Sequence, residues 1–289
     1  MGRFILPYEI YNDDWFNAHA GLCIKDIKGA YIPYHALEGF IQCPRSVLYK
    51  TVVHSIESQE NKTAVDRGDC YSATSPDLLG HALMVGLQSG LPAAIDYYIN
   101  GCKGHNPPED YKNELINRIN LVNNFLNEKA LEVNGTIGFE IELKVPARGE
   151  YENIFVEGGI DAMITTEKGC YIYEIKNTNN PGWVKDRSGQ LSIYKSLAQK
   201  MGYNVLEARY VFLPGWQEKS DAWKKGALQV ASGVVTALSQ CASLQPYRDA
   251  FKQIATMPVD RCNWSIPDHQ ITRCKTCACN GLCWKNNLQ

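Results

Sequence analysis

The spacing of apolar residues predicts a helical region in the first half of the chain. Over residues 75–131 apolar side chains return every three to four positions, and one stripe consists of Tyr111, Leu115, Ile119, Val122 and Leu126. This is the period of an amphipathic helix. Ser75, Pro76 and Gly90 are typical of the N-cap, the first turn and the end of a helix. Residues 34–60 predict a short helix, a break at Cys43-Pro44 and a further segment.

After residue 135 the period changes from that of helices to that of strands. Three segments alternate apolar and polar positions and predict strands: 136–147, 153–165 and 169–177. A helix is predicted next over 187–202, then a strand over 205–214, and then helical structure over 220–256. The order of these segments predicts an α/β fold in which helices flank a core sheet.

One of these strands carries charges that its pattern does not explain. Residues 171–176 read Tyr-Ile-Tyr-Glu-Ile-Lys, and strand side chains alternate between the two faces of a sheet. Glu174 and Lys176 therefore share a face with Ile172. Burying two charges is costly unless they have a partner or a task, so both residues are candidates for function.

A hairpin places a second carboxylate beside Glu174. Residues 166–169, Thr-Glu-Lys-Gly, suit a four-residue loop on a type I turn with Gly169 at positive φ. This loop pairs Thr165 with Cys170 and sets Asp161 opposite Glu174, with Cβ atoms about 4.5–5.5 Å apart. A three-residue loop would instead put the two carboxylates on opposite faces. Carboxylates this close repel each other unless a cation lies between them.

Asp161, Glu174 and Lys176 together suit metal-assisted phosphodiester hydrolysis. Mg²⁺ and Mn²⁺ prefer carboxylate oxygens and accept phosphate oxygens as further ligands. A lysine nearby can hold an attacking water and offset charge on the phosphate. The alternative is a surface Glu–Lys pair beside a hairpin, and the residues themselves leave both interpretations open.

Composition narrows the class of protein but does not indicate a function. The chain has 289 residues, of which 45% are hydrophobic and 21% are charged, and its net charge is −2, a balance typical of globular proteins. No apolar run approaches the roughly 20 residues of a membrane span, and the first residues do not resemble a signal peptide. A cytoplasmic location is therefore expected. Any polyanion would need a local basic patch, for which the candidates are Lys185, Arg187, Lys195 and Lys200; a solvated helix face is the alternative.

The cysteines point to a metal rather than to disulfides. There are eleven, an odd number in a chain without an export signal, so a disulfide framework is not expected. Five of them crowd the C-terminus: Cys262, Cys274, Cys277, Cys279 and Cys283. In a reducing compartment such clustering is typical of metal ligands.

Taken in order, these motifs resemble those of a nuclease superfamily. The segments Gly-Gly-Ile-Asp-Ala-Met-Ile at 158–164 and Tyr-Glu-Ile-Lys-Asn at 173–177 resemble motifs II and III of the PD-(D/E)XK nucleases. Gln190 and Tyr194, on one face of the next helix, resemble the Q-x-x-x-Y motif of the RecB-like branch. The resemblance spans residues from about 34 to 285.

The resemblance implies a restriction-endonuclease-like sheet with flanking helices, an N-terminal helical region and a cysteine-rich C-terminal staple. All of these lie in a single nuclease domain over 1–289, made of an N-terminal segment at 34–60, a helical region at 75–131, a catalytic core at 136–215 and C-terminal helices with the tail at 220–289.

Four cysteines resemble the iron–sulfur staple of AddB-type and CRISPR-associated RecB-like exonucleases. Cys274, Cys277 and Cys283 are spaced C-x2-C-x5-C, and Cys43 lies far upstream. Four thiolates can hold a [4Fe–4S] cluster or a structural Zn²⁺, and the nuclease motifs favour the cluster. Cys279 is the nearest competitor for a place in the ligand set. Either metal would tie the two ends of the chain together.

The resemblance also implies roles for the other residues. Asp161 and Glu174 would bind Mg²⁺ or Mn²⁺ together with His81 and the backbone carbonyl of Ile175. Lys176 would position the attacking water, while Gln190 and Tyr194 would orient the substrate strand.

One position departs from the pattern of the branch. Where a histidine is expected in G-x-x-x-H, this chain has Met84, and His81 lies one turn earlier on the same helix. His81 could supply the missing ligand or could be structural.

The function implied is that of a divalent-metal-dependent DNA nuclease, an exonuclease acting on single-stranded ends. Its partners would include DNA and a helicase, recombinase or integrase, in recombination, phage replication or CRISPR spacer acquisition. A non-catalytic module that binds DNA ends is the first alternative; Met84 favours it, and the intact Asp161, Glu174 and Lys176 argue against it. A zinc-stapled interaction protein is the second.

Overall fold

The computed structural model describes residues 13–52, 56, 76–102, 107–176, 189–213, 229–231, 234–238, 243–260 and 264. They fall into two compact units. Unit 1 comprises Arg67–Leu143 and Gly159–Ala242 together with Met1, and unit 2 comprises Gly2–Asp66, Lys144–Gly158 and Ser243–Gln289.

The helices and strands follow the chain in this order. The helices are α1 (Asp13–Ala18), α2 (Tyr34–Gln42), α3 (Pro44–Val47), α4 (Pro76–Ser89), α5 (Leu91–Gly101), α6 (Glu109–Val133), α7 (Gly189–Lys200) and α8 (Gln245–Thr256). The strands are β1 (Tyr31–Pro33), β2 (Thr136–Pro146), β3 (Phe155–Thr166), β4 (Gly169–Lys176), β5 (Val205–Phe212), β6 (Gln229–Ala231) and β7 (Val234–Leu238).

The helical region of unit 1 forms as its apolar period predicts. The stripe on α6 is buried at Leu115, Ile119, Val122 and Leu126, and Tyr111 packs against the same core. Helix α4 ends at Ser89, and Gly90 follows it with φ of +90°, a conformation that glycine adopts at little cost. The predicted N-cap, Ser75, lies outside the described residues.

The sheet of unit 1 is mixed, with the order β3-β4-β5-β7-β6. Strands β3 and β4 form an antiparallel hairpin, β4 and β5 run parallel, and β7 pairs antiparallel with both β5 and β6; β2 also pairs with β3. Helix α7 lies between β4 and β5 in sequence, as a crossover between parallel strands requires. The predicted α/β sheet with flanking helices is confirmed.

One face of this sheet packs on the helices α4 and α6. The residues that meet the helical core are Ala162, Ile164, Tyr173, Ile175 and Val211, and Tyr173 makes an edge-on contact with Phe125 at a ring-centroid distance of 5.5 Å. Because side chains alternate along a strand, Asp161 on β3 and Glu174 on β4 point to the opposite face. Strand alternation therefore separates the apolar core from the charged residues.

The prediction of helical structure over 220–256 is wrong for residues 229–231 and 234–238. Strands β6 and β7 lie there and pair antiparallel, with Val230 opposite Val235. The segment is rich in β-branched residues, which favour a pleated sheet, and β7 finds its hydrogen-bond partners along β5. The helical part of the prediction is confirmed over Gln245–Thr256.

Unit 2 contains a short strand that the sequence pattern did not predict. Strand β1 runs parallel to the first residues of β3, with Tyr31 opposite Phe155. The predicted break at Cys43 is confirmed, since α2 ends at Gln42 and α3 begins at Pro44.

Trp264 is anchored in unit 2 near this break. The Trp264 side chain is fully buried and packs edge-on against Phe40 at 5.8 Å. Its indole Nε1 donates to the carbonyl of Pro258 at 2.9 Å, and its own carbonyl accepts a hydrogen bond from Arg45 Nε at 2.7 Å. Packing against Phe40 and the hydrogen bond from Arg45 thus fix Trp264 beside α2 and α3.

Several predicted features lie outside the described residues. These are Lys185 and Arg187 of the basic patch and the C-terminal cysteines Cys262, Cys274, Cys277, Cys279 and Cys283. Within the part of the chain that is described, no helix has the length and apolar character needed to cross a membrane.

Candidate active site

The β3–β4 hairpin has the register that the sequence predicts. Thr165 pairs with Cys170 and Thr166 with Gly169, whose φ is +149°. The Thr166 hydroxyl accepts hydrogen bonds from the backbone N–H groups of Lys168 and Gly169, at 3.1 and 3.2 Å, and so closes the turn. A Cβ at position 169 would lie 2.2 Å from the carbonyl oxygen of Asn204, so only glycine fits there.

Asp161 lies at the end of the regular ladder and bonds across to β4. Its Oδ2 accepts the backbone N–H of Ile175 at 2.7 Å. The pairing of the two strands extends to Ala162 opposite Tyr173, and Asp161 and Glu174 are the next residues beyond that pair on β3 and β4. The two acidic side chains therefore lie on one face of adjacent strands.

Glu174, Lys176 and Gln190 form a buried hydrogen-bonded cluster. Lys176 Nζ donates to Glu174 Oε1 at 2.7 Å and to Gln190 Oε1 at 2.8 Å. Gln190 Nε2 donates to the same Glu174 Oε1 at 2.7 Å and to the hydroxyl of Tyr194 at 3.1 Å. Lys176 Nζ also lies 5.6 Å from the ring centre of Tyr210, within the range of a cation–π contact.

The other carboxylate oxygen of Glu174 suits a metal ion. Glu174 is 5% exposed, and its buried Oε2 has no hydrogen-bond partner among the described residues. Buried polar atoms are nearly always satisfied, and a carboxylate oxygen can be satisfied by a hard cation such as Mg²⁺ or Mn²⁺. Asp161 and Glu174 thus fit a divalent cation.

The electrostatics of the two carboxylates favour a cation as well. Burial, and then the charge of Glu174, raise the pKa of Asp161 well above its usual range, while Lys176 and the Ile175 N–H oppose the shift. Burial also raises the pKa of Glu174, against the opposing effect of Lys176 and the hydrogen bond from Gln190. Two carboxylates face one lysine, so a bound cation would relieve the excess of negative charge.

Glu140 is a residue near the site that the sequence did not single out. Its charge contributes to raising the pKa of Asp161, and its Oε2 accepts a hydrogen bond from Gln88 Nε2 at 3.0 Å. Glu140 has φ of +48°, which is uncommon for a residue other than glycine. In the sequence it looks like any polar position of an alternating strand, so no local signal marks it.

His81 and Met84 lie on α4. Met84 packs against the apolar core of unit 1, and His81 is half-buried. Among the described residues, no three or more His, Cys, Asp or Glu side chains come together as a metal-binding group. His81 as a third ligand therefore stays a prediction, and Asp161 and Glu174 are the two candidate ligands that this structure brings together.

Cys43 is the only member of the predicted four-cysteine set that lies within the described residues. It is half-buried at the α2–α3 break, where its N–H donates to the Gly39 carbonyl at 2.7 Å and its carbonyl accepts from Ser46 Oγ at 2.9 Å. The break between the two helices thus holds the backbone of Cys43 in place.

Comparison with known proteins agrees with the hairpin motifs. Residues 77–284 match the family model of the PD-(D/E)XK nuclease superfamily, and no curated protein matches. Among solved structures 13 chains match. One of them is "Crystal structure of SSO0001", with 14% sequence identity, coverage of 78% of this chain and 91% of that chain, and a TM-score of 0.34.

The family model spans well over half of the chain and includes both strands that carry the carboxylates, as well as Lys176, Gln190 and Tyr194. Members of that superfamily are generally nucleases that act on DNA and typically use Mg²⁺ or Mn²⁺. This chain belongs to the PD-(D/E)XK nuclease superfamily.

Proposed function

We propose that this protein is a divalent-metal-dependent deoxyribonuclease that degrades single-stranded DNA from its ends. The observation that supports this most strongly is the cluster of the buried Glu174 with the half-buried Asp161 and Lys176, in which one carboxylate oxygen lacks a hydrogen-bond partner among the described residues. A fold gains no stability from such an arrangement, because buried charges that are not fully paired oppose folding. Phosphodiester hydrolysis would use all three residues.

Asp161 and Glu174 would hold Mg²⁺ or Mn²⁺, with the carbonyl of Ile175 and His81 as further ligands. The metal would supply Lewis-acid stabilisation of the phosphate and a more acidic bound water. Lys176 is held by two acceptors, and its remaining donor capacity would serve the attacking water or a phosphate oxygen. Because this charge is already oriented, little reorganisation is needed during the reaction.

The preference for single-stranded ends rests on the RecB-like character of Gln190 and Tyr194 and on the basic residues that follow. Lys195 and Lys200 lie on α7, with Lys200 exposed, and lysines on a helix can contact a phosphate backbone. A helicase, recombinase or integrase partner would deliver the ends.

The experiment compares labelled linear and circular single strands with duplex DNA, each in Mg²⁺, in Mn²⁺ and in EDTA. We expect stepwise shortening of the linear single strand only when metal is present, and an intact circle. Cleavage of the circle would show that the protein is an endonuclease rather than an exonuclease. No cleavage of any substrate in either metal would contradict the proposed function.

We further propose a [4Fe–4S] cluster held by Cys43, Cys274, Cys277 and Cys283, with Zn²⁺ as the alternative. The proposal rests on cysteine spacing and the RecB-like resemblance. Protein purified without oxygen should be brown and contain about four iron atoms per chain. Replacing any of the four cysteines by serine should remove the colour, whereas Cys279→Ser should keep it. One zinc and no iron per chain would contradict the cluster.

A second candidate function is a non-catalytic module that binds DNA ends. Met84 favours it, because this residue packs against the core at the position where the branch has a histidine. Such a module would bind single-stranded DNA equally well with metal and in EDTA, and would cleave it in neither.

A further inference from the structure

We propose that Gln190 and Tyr194 are positioning residues that hold Lys176 and Glu174 in place through a hydrogen-bond relay anchored on the backbone of Gly159. This inference deepens the proposed nuclease function and rests on it. It gives the two residues a role different from orienting the DNA strand.

The amide of Gln190 is fixed in one orientation by its two partners. A lysine ammonium can only donate hydrogen bonds, and an ionised carboxylate can only accept them. The amide oxygen must therefore face Lys176, at 2.8 Å, and the amide nitrogen must face Glu174, at 2.7 Å. Rotating the amide by half a turn would place its NH2 donor against the lysine ammonium and its acceptor oxygen against the carboxylate. Gln190 can therefore bridge the lysine and the carboxylate in only one orientation.

Tyr194 holds the far side of the same amide. Its hydroxyl oxygen accepts a hydrogen bond from Gln190 Nε2 at 3.1 Å and another from the backbone N–H of Gly159. Gly159 lies on β3, two residues before Asp161, so the tyrosine links the helix to the strand that carries the other carboxylate. Tyr194 is 6% exposed, and both described hydrogen bonds of its hydroxyl go to groups of the protein.

Helix α7 is itself fixed by apolar packing. Leu191, Leu197 and Ala198 are buried along it, so its backbone gives Gln190 and Tyr194 a rigid base. The relay connects this helix to β4 through Gln190 and to β3 through Tyr194. Both strands that bear a carboxylate are thereby tied to one support.

Positioning matters because the lysine side chain is long and flexible. Its four-carbon stem can place the ammonium in many ways, whereas catalysis needs the group held within about 0.5 Å of its working position. Partners of this kind around a metal site typically contribute about 10–100-fold in metal affinity or activity. Loss of the relay should therefore lower the rate and the metal affinity, and leave the affinity for DNA unchanged.

The test uses Tyr194→Phe and Gln190→Met, with Gln199→Met as the matched control on the same helix. Tyr194→Phe keeps the buried ring, and Gln199 is exposed. Three quantities are measured for each: the single-turnover rate at saturating single-stranded DNA, the Kd for that DNA in EDTA, and the Kd for Mn²⁺ by calorimetry. Circular dichroism shows whether each variant is folded.

We expect Gln190→Met to lower the rate and weaken Mn²⁺ binding by about tenfold or more, and Tyr194→Phe to act in the same direction with a smaller effect. Their DNA Kd should stay within about twofold of the wild-type value, and Gln199→Met should change nothing. A weaker DNA Kd with unchanged maximal rate and Mn²⁺ affinity would overturn the relay in favour of substrate contact. If the wild-type protein does not cleave DNA, the proposed function fails, and the Mn²⁺ affinities still decide the relay.

Discussion

Two of the ion pairs in unit 1 lie in very different surroundings. On α6, Lys129 Nζ lies 2.5 Å from Glu132, with 33% and 63% of the two side chains exposed. On β4, Lys176 Nζ lies 2.7 Å from Glu174, with 17% and 6% exposed. The distances are alike, and the environments differ.

Folding stability explains the presence of the exposed pair but not that of the buried pair. An exposed pair at i and i+3 on a helix follows from the helical period and is worth roughly 0–1 kcal/mol. A buried pair loses its hydration, and well-packed apolar residues would usually serve the fold equally well or better. The β4 pair also faces Asp161, so the site carries an excess of negative charge that a surface pair does not. Chemistry accounts for the buried charges better than folding does.

The largest effect on metal affinity and cleavage is expected when the carboxylate of the buried pair is removed. Removal of the carboxylate of the exposed pair is the control. Glu174→Gln removes the negative charge and replaces one carboxylate oxygen by an amide nitrogen, which cannot bind a cation. Metal affinity should therefore fall, and cleavage should drop by at least the order of 10²–10³ that one such group supplies. Glu132→Gln on α6 should change neither. The measurements are Mn²⁺ calorimetry and the single-turnover rate on single-stranded DNA. If Glu174→Gln binds Mn²⁺ like the wild type, Glu174 is not a ligand.

The next largest effect is expected on the stability of the protein as pH and metal are varied. The raised pKa values of Asp161 and Glu174 mean that the folded protein binds more protons than the unfolded chain. The metal-free protein should therefore lose stability as pH rises, from the usual carboxylate pKa range up to the raised values in the folded state. A cation offsets this loss, so Mn²⁺ should raise Tm more at about pH 8 than at about pH 5.

Asp161→Asn tests the origin of that effect. With one buried carboxylate removed, the metal-free variant should melt higher than the wild type at about pH 8, since removing functional charge often stabilises a fold. Calorimetric melting across the pH range measures it. A lower Tm for Asp161→Asn at that pH would show that the carboxylate contributes to folding.

The sequence predicts the parts of the fold that depend on local properties and not those that depend on distant partners. The α6 stripe and the β3–β4 hairpin could be predicted because period and turn chemistry are local properties: Leu115 is buried, and Thr165 pairs with Cys170. The strands at 229–231 and 234–238 could not, because β7 finds its hydrogen-bond partners on β5, which is distant in sequence, and β6 pairs with β7. Whether a short segment rich in β-branched residues forms a strand depends on the segments that lie beside it.

Within the site, residues that belong to a sequence motif could be predicted, whereas residues brought there only by packing could not. Asp161, Glu174 and Lys176 stand out as charges in apolar strands. Glu140 does not, since its position near Asp161 depends on the pairing of β2 with β3 and on a positive φ. The bonds from Gln190 to Glu174 and Lys176 likewise needed the packing of α7, because i and i+4 spacing fixes only the shared helix face.

A smaller effect is expected on α4. We expect His81→Ala to lower the cleavage rate and Met84→His to raise it, because the RecB-like branch that the motifs resemble has a histidine on this helix and imidazole is a common metal ligand. Single-turnover rates in Mn²⁺ measure both, beside Tm values, since Met84 packs in the core. Unchanged rates in both folded variants would mean that the hairpin carboxylates hold the metal without a histidine.

The smallest effect is expected at the surface. Lys129→Ala should change the free energy of unfolding by less than about 1 kcal/mol, and by less still at high salt, because ions screen exposed charges. Chemical denaturation in low and high salt measures this. A larger, salt-independent loss would mean that the exposed pair contributes more to folding than its surroundings indicate.

The most direct test of the central claim sets Lys176→Ala against Lys129→Ala. Both variants lose one lysine from an ion pair of nearly equal length. If the buried pair serves catalysis, Lys176→Ala should still bind Mn²⁺ through Asp161 and Glu174 while its single-turnover rate on single-stranded DNA falls on the order of 10²–10³, and Lys129→Ala should keep the wild-type rate. If Lys176→Ala cleaves at the wild-type rate, the buried pair is structural and the catalytic account is wrong.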